Sequence, residues 1–234
     1  MSPPSGFLRR MAMRTFRNRR EAGRALAEEL TSYRGKDNLL VLGLARGGVP
    51  VAREIASALG ATLDVFLVRK LGVPGWSELA MGALASGGGV VMNDDVISSL
   101  HITDEQVREV IDSETTELAR REKAYRGGRP AADPRGKIVI LVDDGIATGA
   151  SMMAAVRAVR AAGPQSIVVA VPVGPESACR ELAREADDVV CATMPPAFHA
   201  VGQVYDDFHQ VSDDEVRELL SYRSGPPWSE TSSG

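Results

Sequence analysis

Residues 138–151 read Ile-Val-Ile-Leu-Val-Asp-Asp-Gly-Ile-Ala-Thr-Gly-Ala-Ser. The five apolar residues that open this stretch predict a buried strand, and a helix is expected from about 149 to 162. Two acids, Asp143 and Asp144, therefore lie where a buried strand ends. In open α/β sheets, ligands bind outside the carboxyl ends of the strands, so this strand–loop–helix indicates both a fold and a site.

Short apolar runs and helical patterns alternate on both sides of this stretch. Helices are expected at about 17–33, 50–59 and 176–185, and further strands at 39–44, 63–68, 166–173 and 188–193. This alternation predicts an α/β fold with an open, mostly parallel sheet flanked by helices.

A less regular, glycine-rich segment interrupts the pattern from Arg69 to Asp95. Two short strands are expected within it, around 80–85 and 89–93. A helix from about 104 to 124 follows, opened by a capping box that begins at Thr103. Because only one narrow stripe of this helix is apolar, we predict an inserted helical lid over about 72–130.

Composition and charge limit the classes of protein to which the chain can belong. The chain has 234 residues, of which 44% are hydrophobic, and a net charge of −4, which favours a single globular domain and argues against a nucleic-acid partner. No apolar stretch is long enough to span a membrane, so no membrane partner is expected. Cys179 and Cys191 lack metal-binding spacing and predict reduced thiols in a cytoplasmic protein.

The two ends of the chain differ from its centre. Residues 1–20 contain six arginines and no acid, a composition found in transit peptides. We favour instead an irregular leader over 1–13, because apolar positions continue at helical spacing from Phe16. The domain is then expected over 14–222, and the turn-forming residues at 223–234 predict a disordered tail.

The loop after the acid pair has the chemistry of a phosphate site. Two adjacent carboxylates repel each other unless a partner satisfies them, and the 2′- and 3′-hydroxyls of a ribose are suitable donors. Small residues let the backbone approach an anion, and the following helix offers free N–H groups and a positive dipole end. Thr148 and Ser151 add hydroxyl donors. The spacing of a P-loop is absent, which argues against a nucleoside triphosphatase.

Val142-Asp143-Asp144-Gly145-Ile146-Ala147-Thr148-Gly149 resembles the phosphoribosyl pyrophosphate (PRPP) signature of type I phosphoribosyltransferases, and the resemblance covers about 14–220. It implies that family's fold and, commonly, a homodimer. It also implies Mg²⁺-dependent transfer of the 5-phosphoribosyl group from PRPP to a nitrogenous base or similar nitrogen acceptor. Asp143 and Asp144 are expected to act in catalysis and near the metal. The 5′-phosphate is assigned to Gly145, Ile146, Ala147, Thr148, Gly149, Ala150 and Ser151.

The same resemblance implies basic groups that bind pyrophosphate. The turn Ala45-Arg46-Gly47 follows a strand and precedes a helix, and an arginine beside free N–H groups suits a doubly charged anion. Arg69 and Lys70, expected to close the second strand, are predicted to offset the charge of PRPP and magnesium during catalysis. Solvent-exposed charges remain the alternative for all three side chains.

A small C-terminal hood over about 194–210 is expected from the resemblance to hold the base. Phe198 and Tyr205 are candidates for stacking on a planar heterocycle. Asp206 is expected as a further magnesium-contacting acid. The alternative is that the aromatic residues belong to the core and that the acid is solvated.

One position departs from the family pattern. Members that use 6-oxopurines usually carry an Asp immediately before the loop threonine, where this chain has Ala147. The loop therefore lacks that general base, and the resemblance shifts toward adenine-, uracil- or orotate-type enzymes. Arg126 and Arg129, at the end of the lid, are candidates for closing over the site.

Two other functions stay open from the sequence. A PRPP- or nucleotide-binding regulator would keep the pocket without turnover, although the chain has no added DNA-binding helix pair. A phosphatase or nucleotide hydrolase would need an identifiable nucleophile or a metal cluster. The three histidines, His101, His199 and His209, are scattered and do not suggest one.

Overall fold

The computed structural model describes residues 7–10 and 14–221. In chain order the strands are β1 (Phe7–Arg10), β2 (Leu39–Leu44), β3 (Thr62–Phe66), β4 (Val68–Val73), β5 (Trp76–Ala85), β6 (Val90–Met92), β7 (Ile138–Val142), β8 (Ser166–Val173) and β9 (Asp188–Thr193). The helices are α1 (Arg19–Glu29), α2 (Gly48–Leu59), α3 (Asp94–Ser99), α4 (Asp104–Arg126), α5 (Ala150–Ala161), α6 (Glu176–Leu182) and α7 (Asp213–Ser221).

Six strands form a parallel sheet in the order β1-β9-β8-β7-β2-β3. Alternate residues of its central strands face opposite layers of helices. Leu39 and Val41 of β2 pack in the cluster of α1 and α2, and Leu40 and Leu42 in the cluster of α5 and α6. Every residue of β2, β7 and β9 is buried, as expected for strands covered on both faces. The predicted mostly parallel α/β fold is confirmed.

Most of the segment predicted as irregular is a second, antiparallel sheet in the order β4-β5-β6. The two predicted strands correspond to the second half of β5 and to β6, but β4 was missed and β5 begins earlier than predicted, at Trp76. Glycines in this segment obscured the apolar pattern of its strands in the sequence. A Cβ at Gly82 would lie 2.5 Å from the carbonyl oxygen of Val91, so this glycine permits close strand pairing. Residues 68–126, which we call the insertion, lie between β3 and the segment 127–137 that leads into β7.

The predicted irregular leader and disordered tail can be compared with the structure only in part. Residues 7–10 form β1 beside β9, so the leader is not irregular there. The remainder of the predicted leader and the predicted tail fall on 1–6, 11–13 and 222–234, outside the described residues. Within the described part of the chain, no helix is long and apolar enough to cross a membrane.

Arg126 lies in a buried ion pair and is not directed toward a ligand. Its Nε donates to both carboxylate oxygens of Asp64, at 3.0 and 3.1 Å, and its Nη2 donates to the carbonyl of Val65. Arg129 donates to the carbonyls of Arg126 and Leu220. The two arginines considered for closing a lid therefore anchor the end of α4 to β3 and α7.

We predict that Arg126→Ala destabilises the fold by about 3–5 kcal/mol, because it leaves the carboxylate of Asp64 buried without its cation. Equilibrium urea denaturation measures the free energy of unfolding. Arg121→Ala on the same helix is the matched control, since Arg121 is 45% exposed and pairs with Glu117 at the surface. Equal losses in the two variants would contradict the structural role of the buried pair.

Candidate active site

Two loops meet at the carboxyl edge of the parallel sheet, one after β2 and one after β7. A Cβ built on Gly47 would lie 2.0 Å from Oδ2 of Asp144, and one on Gly48 would lie 2.4 Å from the carbonyl oxygen of Val142. Only glycine allows this approach. The turn Ala45-Arg46-Gly47, which contains a cis peptide bond between Ala45 and Arg46, therefore packs directly on the acid pair.

The acid pair is held largely out of bulk water. Burial raises the pKa of Asp143 well above its usual range, and the neighbouring charge of Asp144 adds to this effect. Burial also raises the pKa of Asp144, although a hydrogen bond and the charge of Arg19 oppose the increase. The backbone N–H of Asp144 donates to Oδ1 of Asp143 over 2.9 Å. Two raised carboxyl pKa values at a strand end mark a candidate functional site.

Arg19, in the first turn of α1, is a site residue that the sequence interpretation missed. Its Nε donates to Oδ2 of Asp144 over 2.7 Å, and the residue is 7% exposed. The sequence contained an indication of this role. Arg19 falls three residues after Phe16 and three before Ala22, so it lies on the apolar, buried face of the helix. A charged residue on an apolar stripe predicts a buried partner.

Tyr205, predicted to stack on a base, lies beneath the site instead. It is 8% exposed, and its hydroxyl donates to the carbonyl of Asp144 over 2.7 Å. Burial raises the pKa of its phenol, which keeps it neutral. Its ring stacks on that of Phe208, with centroids 5.0 Å apart. Tyr205 therefore supports the acid loop, and the assignment of a free stacking face to it is wrong.

The loop from Gly145 to Ser151 divides into a buried and an exposed half. Gly145 and Ile146 are buried, and the N–H of Ile146 already donates to the carbonyl of Val173. Ala147, Thr148, Ala150 and Ser151 are exposed and Gly149 is half-buried. The 12-residue α5 begins at Ala150, and its N-cap, Gly149, supplies no side-chain hydrogen bond, whereas the N–H of Ala150 donates to Oγ1 of Thr148 over 3.4 Å. Of the predicted phosphate contacts, those after Ile146 remain accessible.

The predicted basic residues occupy different places. Arg46 follows β2 at the site, with its Nη1 3.6 Å from Oδ1 of Asp213. Arg69 and Lys70 lie inside β4 and not at the end of the second strand, so that placement was wrong. Arg69 donates through Nε to Glu114 of α4 over 2.6 Å, and Lys70 donates to the carbonyl of Glu78.

Residues 194–210 pass over the same edge of the sheet. The side chain of Gln203 accepts from the N–H groups of His199 and Ala200 and donates to the carbonyl of Ala197, which fixes this turn. Phe198 is half-buried against the core cluster of α1 and α2. Asp206 is exposed, and its backbone N–H donates to the carbonyl of Phe16.

The carboxylates predicted near the metal do not form a metal centre by themselves. Over residues 14–221, where side chains are described, no group of three or more His, Cys, Asp or Glu side chains is placed to hold an ion. Asp206 is therefore not brought together with Asp143 and Asp144 into a protein-only site. Carboxylate oxygens at this edge suit a cation whose remaining oxygen ligands come from a bound molecule and water.

A cleft of about 620 Å³ lies between the insertion and the start of α5. Thr148, Gly149 and Ala150 form one wall together with residues of α5 and α6, and β5, β6 and the start of α3 form the other. The exposed half of the phosphate loop therefore opens into a space bounded by the insertion.

Comparisons with known proteins identify similar sequences and a similar structure. The family model for the phosphoribosyl transferase domain matches residues 16–209. "Putative phosphoribosyl transferase Rv0571c" of Mycobacterium tuberculosis H37Rv is 48% identical over 208 residues, as is its counterpart in strain CDC 1551. That match covers 89% of this chain but 47% of the relative, so the chain spans about half the relative's length.

The crystal structure of TT1426 from Thermus thermophilus has the same fold. It is 44% identical in sequence, with a TM-score of 0.75, and the match covers 89% of this chain and 98% of that one.

We predict that Asp143→Asn stabilises the protein at pH 8. The folded-state pKa of Asp143 is raised. The native state therefore binds more protons than the unfolded state between the two pKa values, and stability falls as pH rises. The asparagine removes this penalty, which is about 1.4 kcal/mol for each tenfold change in the acid dissociation constant. The midpoint of thermal unfolding should rise by about 2–4 °C per kcal/mol.

The advantage of the variant should shrink as the pH falls toward 4, where the wild-type carboxyl is increasingly protonated in both states. Asp112→Asn, at an exposed acid on α4, is the control and should show neither effect. A lower unfolding midpoint for Asp143→Asn at pH 8 would contradict the assigned burial penalty.

Proposed function

The chain belongs to the phosphoribosyl transferase family, and on this premise we propose that it transfers a 5-phosphoribosyl group from PRPP to a nitrogen acceptor and releases pyrophosphate. The observation that carries the proposal is the contact between the loops after β2 and β7. Gly47 lies against the carboxylate of Asp144, so a pyrophosphate loop and a ribose-binding acid share one edge of the sheet. PRPP carries its pyrophosphate on C1 of the ribose, next to the hydroxyls that the acids would bind.

In this proposal the acid pair binds the ribose and the exposed half of the next loop binds the 5′-phosphate. Asp143 and Asp144 accept hydrogen bonds from the 2′- and 3′-hydroxyls, and their negative charge favours the positive charge that develops at C1′. Thr148, Gly149, Ala150 and Ser151 surround the phosphate, with the first-turn N–H groups and the dipole of α5 as the source of attraction; the 3.4 Å contact from the N–H of Ala150 to Thr148 is long enough for the phosphate to replace it.

The leaving pyrophosphate lies at Ala45, Arg46 and Gly47 in this arrangement. Arg46 is 36% exposed, and its contact with Asp213 is long at 3.6 Å, so an anion can compete for the guanidinium. Arg69 and Lys70 remain candidates for charge compensation only if their contacts within the insertion rearrange. A lid role for the insertion is supported by its position across the cleft from the phosphate loop.

Magnesium fits this site as a partner of PRPP. Asp143 and Asp144 are the carboxylates that would hold it, with the remaining oxygens supplied by PRPP and water. A magnesium ion held there would supply positive charge that offsets the charge of the pyrophosphate. The residues of the chain bind the ribose, orient the phosphates and exclude water from the acid pair.

The acceptor is proposed to be a base that needs little help in losing a proton. Ala147 provides no general base, and it is exposed at the loop. With Tyr205 bound to Asp144, Phe198 remains the candidate for stacking on the heterocycle. The proposed homodimer and cytoplasmic location remain predictions from the sequence.

The direct test is pyrophosphate release from PRPP and Mg²⁺ with a panel of adenine, uracil, orotate, hypoxanthine and guanine. We expect turnover with one of the first three. In the double variant Asp143→Asn/Asp144→Asn, kcat should fall by about 10²-fold or more, because the variant lacks the negative charge that stabilises the transition state. Asp112→Asn, at an exposed acid of α4 outside the proposed site, should retain full activity.

Undiminished turnover in the double variant would refute the role of the acid pair. Binding of PRPP without turnover on any base would favour the alternative, a PRPP- or nucleotide-binding regulator. Calorimetric titration with PRPP separates these outcomes, because it measures binding independently of turnover.

A further inference from the structure

We infer that Arg19 is a positioning residue that sets the orientation of the ribose-binding carboxylate of Asp144 and couples it to the C-terminal segment 204–209; this inference rests on the proposed function. Arg19 lies outside all the motifs that point to a phosphoribosyltransferase. Its contacts, and not its place in the sequence, assign it to the site.

The guanidinium of Arg19 is fixed by three contacts. Nε donates to Oδ2 of Asp144 over 2.7 Å, and Nη1 donates to the carbonyl of His209 over 2.8 Å. Cζ lies 4.0 Å above the centre of the Phe208 ring. Because the two hydrogen bonds use different nitrogens of one planar group and the ring covers its face, the guanidinium has a single orientation.

Backbone pairing brings Arg19 to this place. The N–H of Phe16 donates to the carbonyl of Val204 over 2.7 Å, and the N–H of Asp206 donates back to Phe16 over 2.9 Å. The N–H of Asp207 then donates to the carbonyl of Arg17. The residues before α1 thus pair with segment 204–209. This pairing fixes the start of α1 and so places Arg19, in its first turn, beside the acid loop.

The carboxylate of Asp144 is confined between Arg19 and Gly47. Its side chain is 14% exposed, and that of Arg19 is 8% exposed. Arg19 binds one oxygen, Oδ2, which leaves Oδ1 to accept a hydrogen bond from a ribose hydroxyl under the proposed function. The three contacts that fix the guanidinium do not involve the loop at 148–151. Loss of the guanidinium should therefore weaken ribose binding and spare phosphate binding.

The test compares two ligands of the substrate-free protein by isothermal titration calorimetry: ribose 5-phosphate, which uses the acids and the phosphate loop, and inorganic phosphate, which uses only the loop. For Arg19→Gln we expect the Kd for ribose 5-phosphate to rise about tenfold or more, as for loss of a charge-assisted hydrogen bond. The Kd for inorganic phosphate should change by less than about twofold.

Two further variants refine the comparison. Arg19→Lys keeps the charge but has no planar fork to reach both acceptors, so it should recover only part of the ribose 5-phosphate affinity. Arg24→Gln is the matched control, because Arg24 lies on the same helix with a side chain 63% exposed and pairs with Glu54. It should leave both dissociation constants unchanged.

An unchanged ribose 5-phosphate affinity in Arg19→Gln, or an equal loss for both ligands, would overturn the inference. If Arg19→Gln does not fold, Phe208→Leu serves in its place, since it removes the ring against the guanidinium while an apolar side chain still packs on Tyr205. It should weaken ribose 5-phosphate about threefold and spare phosphate, and no change would overturn the coupling. Wild-type protein that binds ribose 5-phosphate no more tightly than phosphate would instead contradict the proposed function.

Discussion

Two adjacent carboxylates held out of bulk water at the end of β7 are the constraint on which the site depends. Burial and mutual repulsion raise the pKa of Asp143, so the ionised pair opposes folding. The surrounding chain compensates locally, with the guanidinium of Arg19 on Asp144 and a backbone N–H on Asp143. Such a costly pair persists only where the rest of the structure imposes it, and it marks the edge of the sheet at which a polyhydroxylated ligand can replace the missing hydrogen bonds.

The architecture supplies the rigidity that this pair requires. β7 lies in the interior of a parallel sheet, and helices on both faces bury every residue of the strand. Its carboxyl end is therefore fixed while the loops beyond it remain accessible. The segments 14–19 and 204–209, distant in sequence, meet at that end through the bridge between Phe16 and Tyr205. The acid loop is therefore held by residues that precede and begin α1 and by segment 204–209, which links the integrity of the acid pair to the docking of α1.

The sequence predicted those parts of the fold whose signal is local. Continuous apolar runs identified β2, β7, β8 and β9 because strands buried on both faces leave that pattern in any context. β1 escaped prediction because its strand character comes from its neighbour β9. The antiparallel sheet of the insertion was predicted only in part because Gly72 and Gly82 resemble breaks, although in the structure they allow close strand packing. At the site, the positions of the two glycine-containing loops were predictable, because each loop is recognised from a short run of consecutive residues.

The partners of long side chains could not be predicted in the same way. Arginine is common in this chain, and residue type alone does not distinguish Arg126, which pairs with buried Asp64, from Arg46, which faces the candidate pyrophosphate site. Only tertiary structure decides which guanidinium is buried and which is left for a ligand. The same holds for aromatic residues: Tyr205 is committed to the carbonyl of Asp144. Under the proposed function, recognition of the acceptor then falls to Phe198 and to the backbone of 197–203. The side chain of Gln203 stabilises that turn, so main-chain geometry there would contribute to selecting the base.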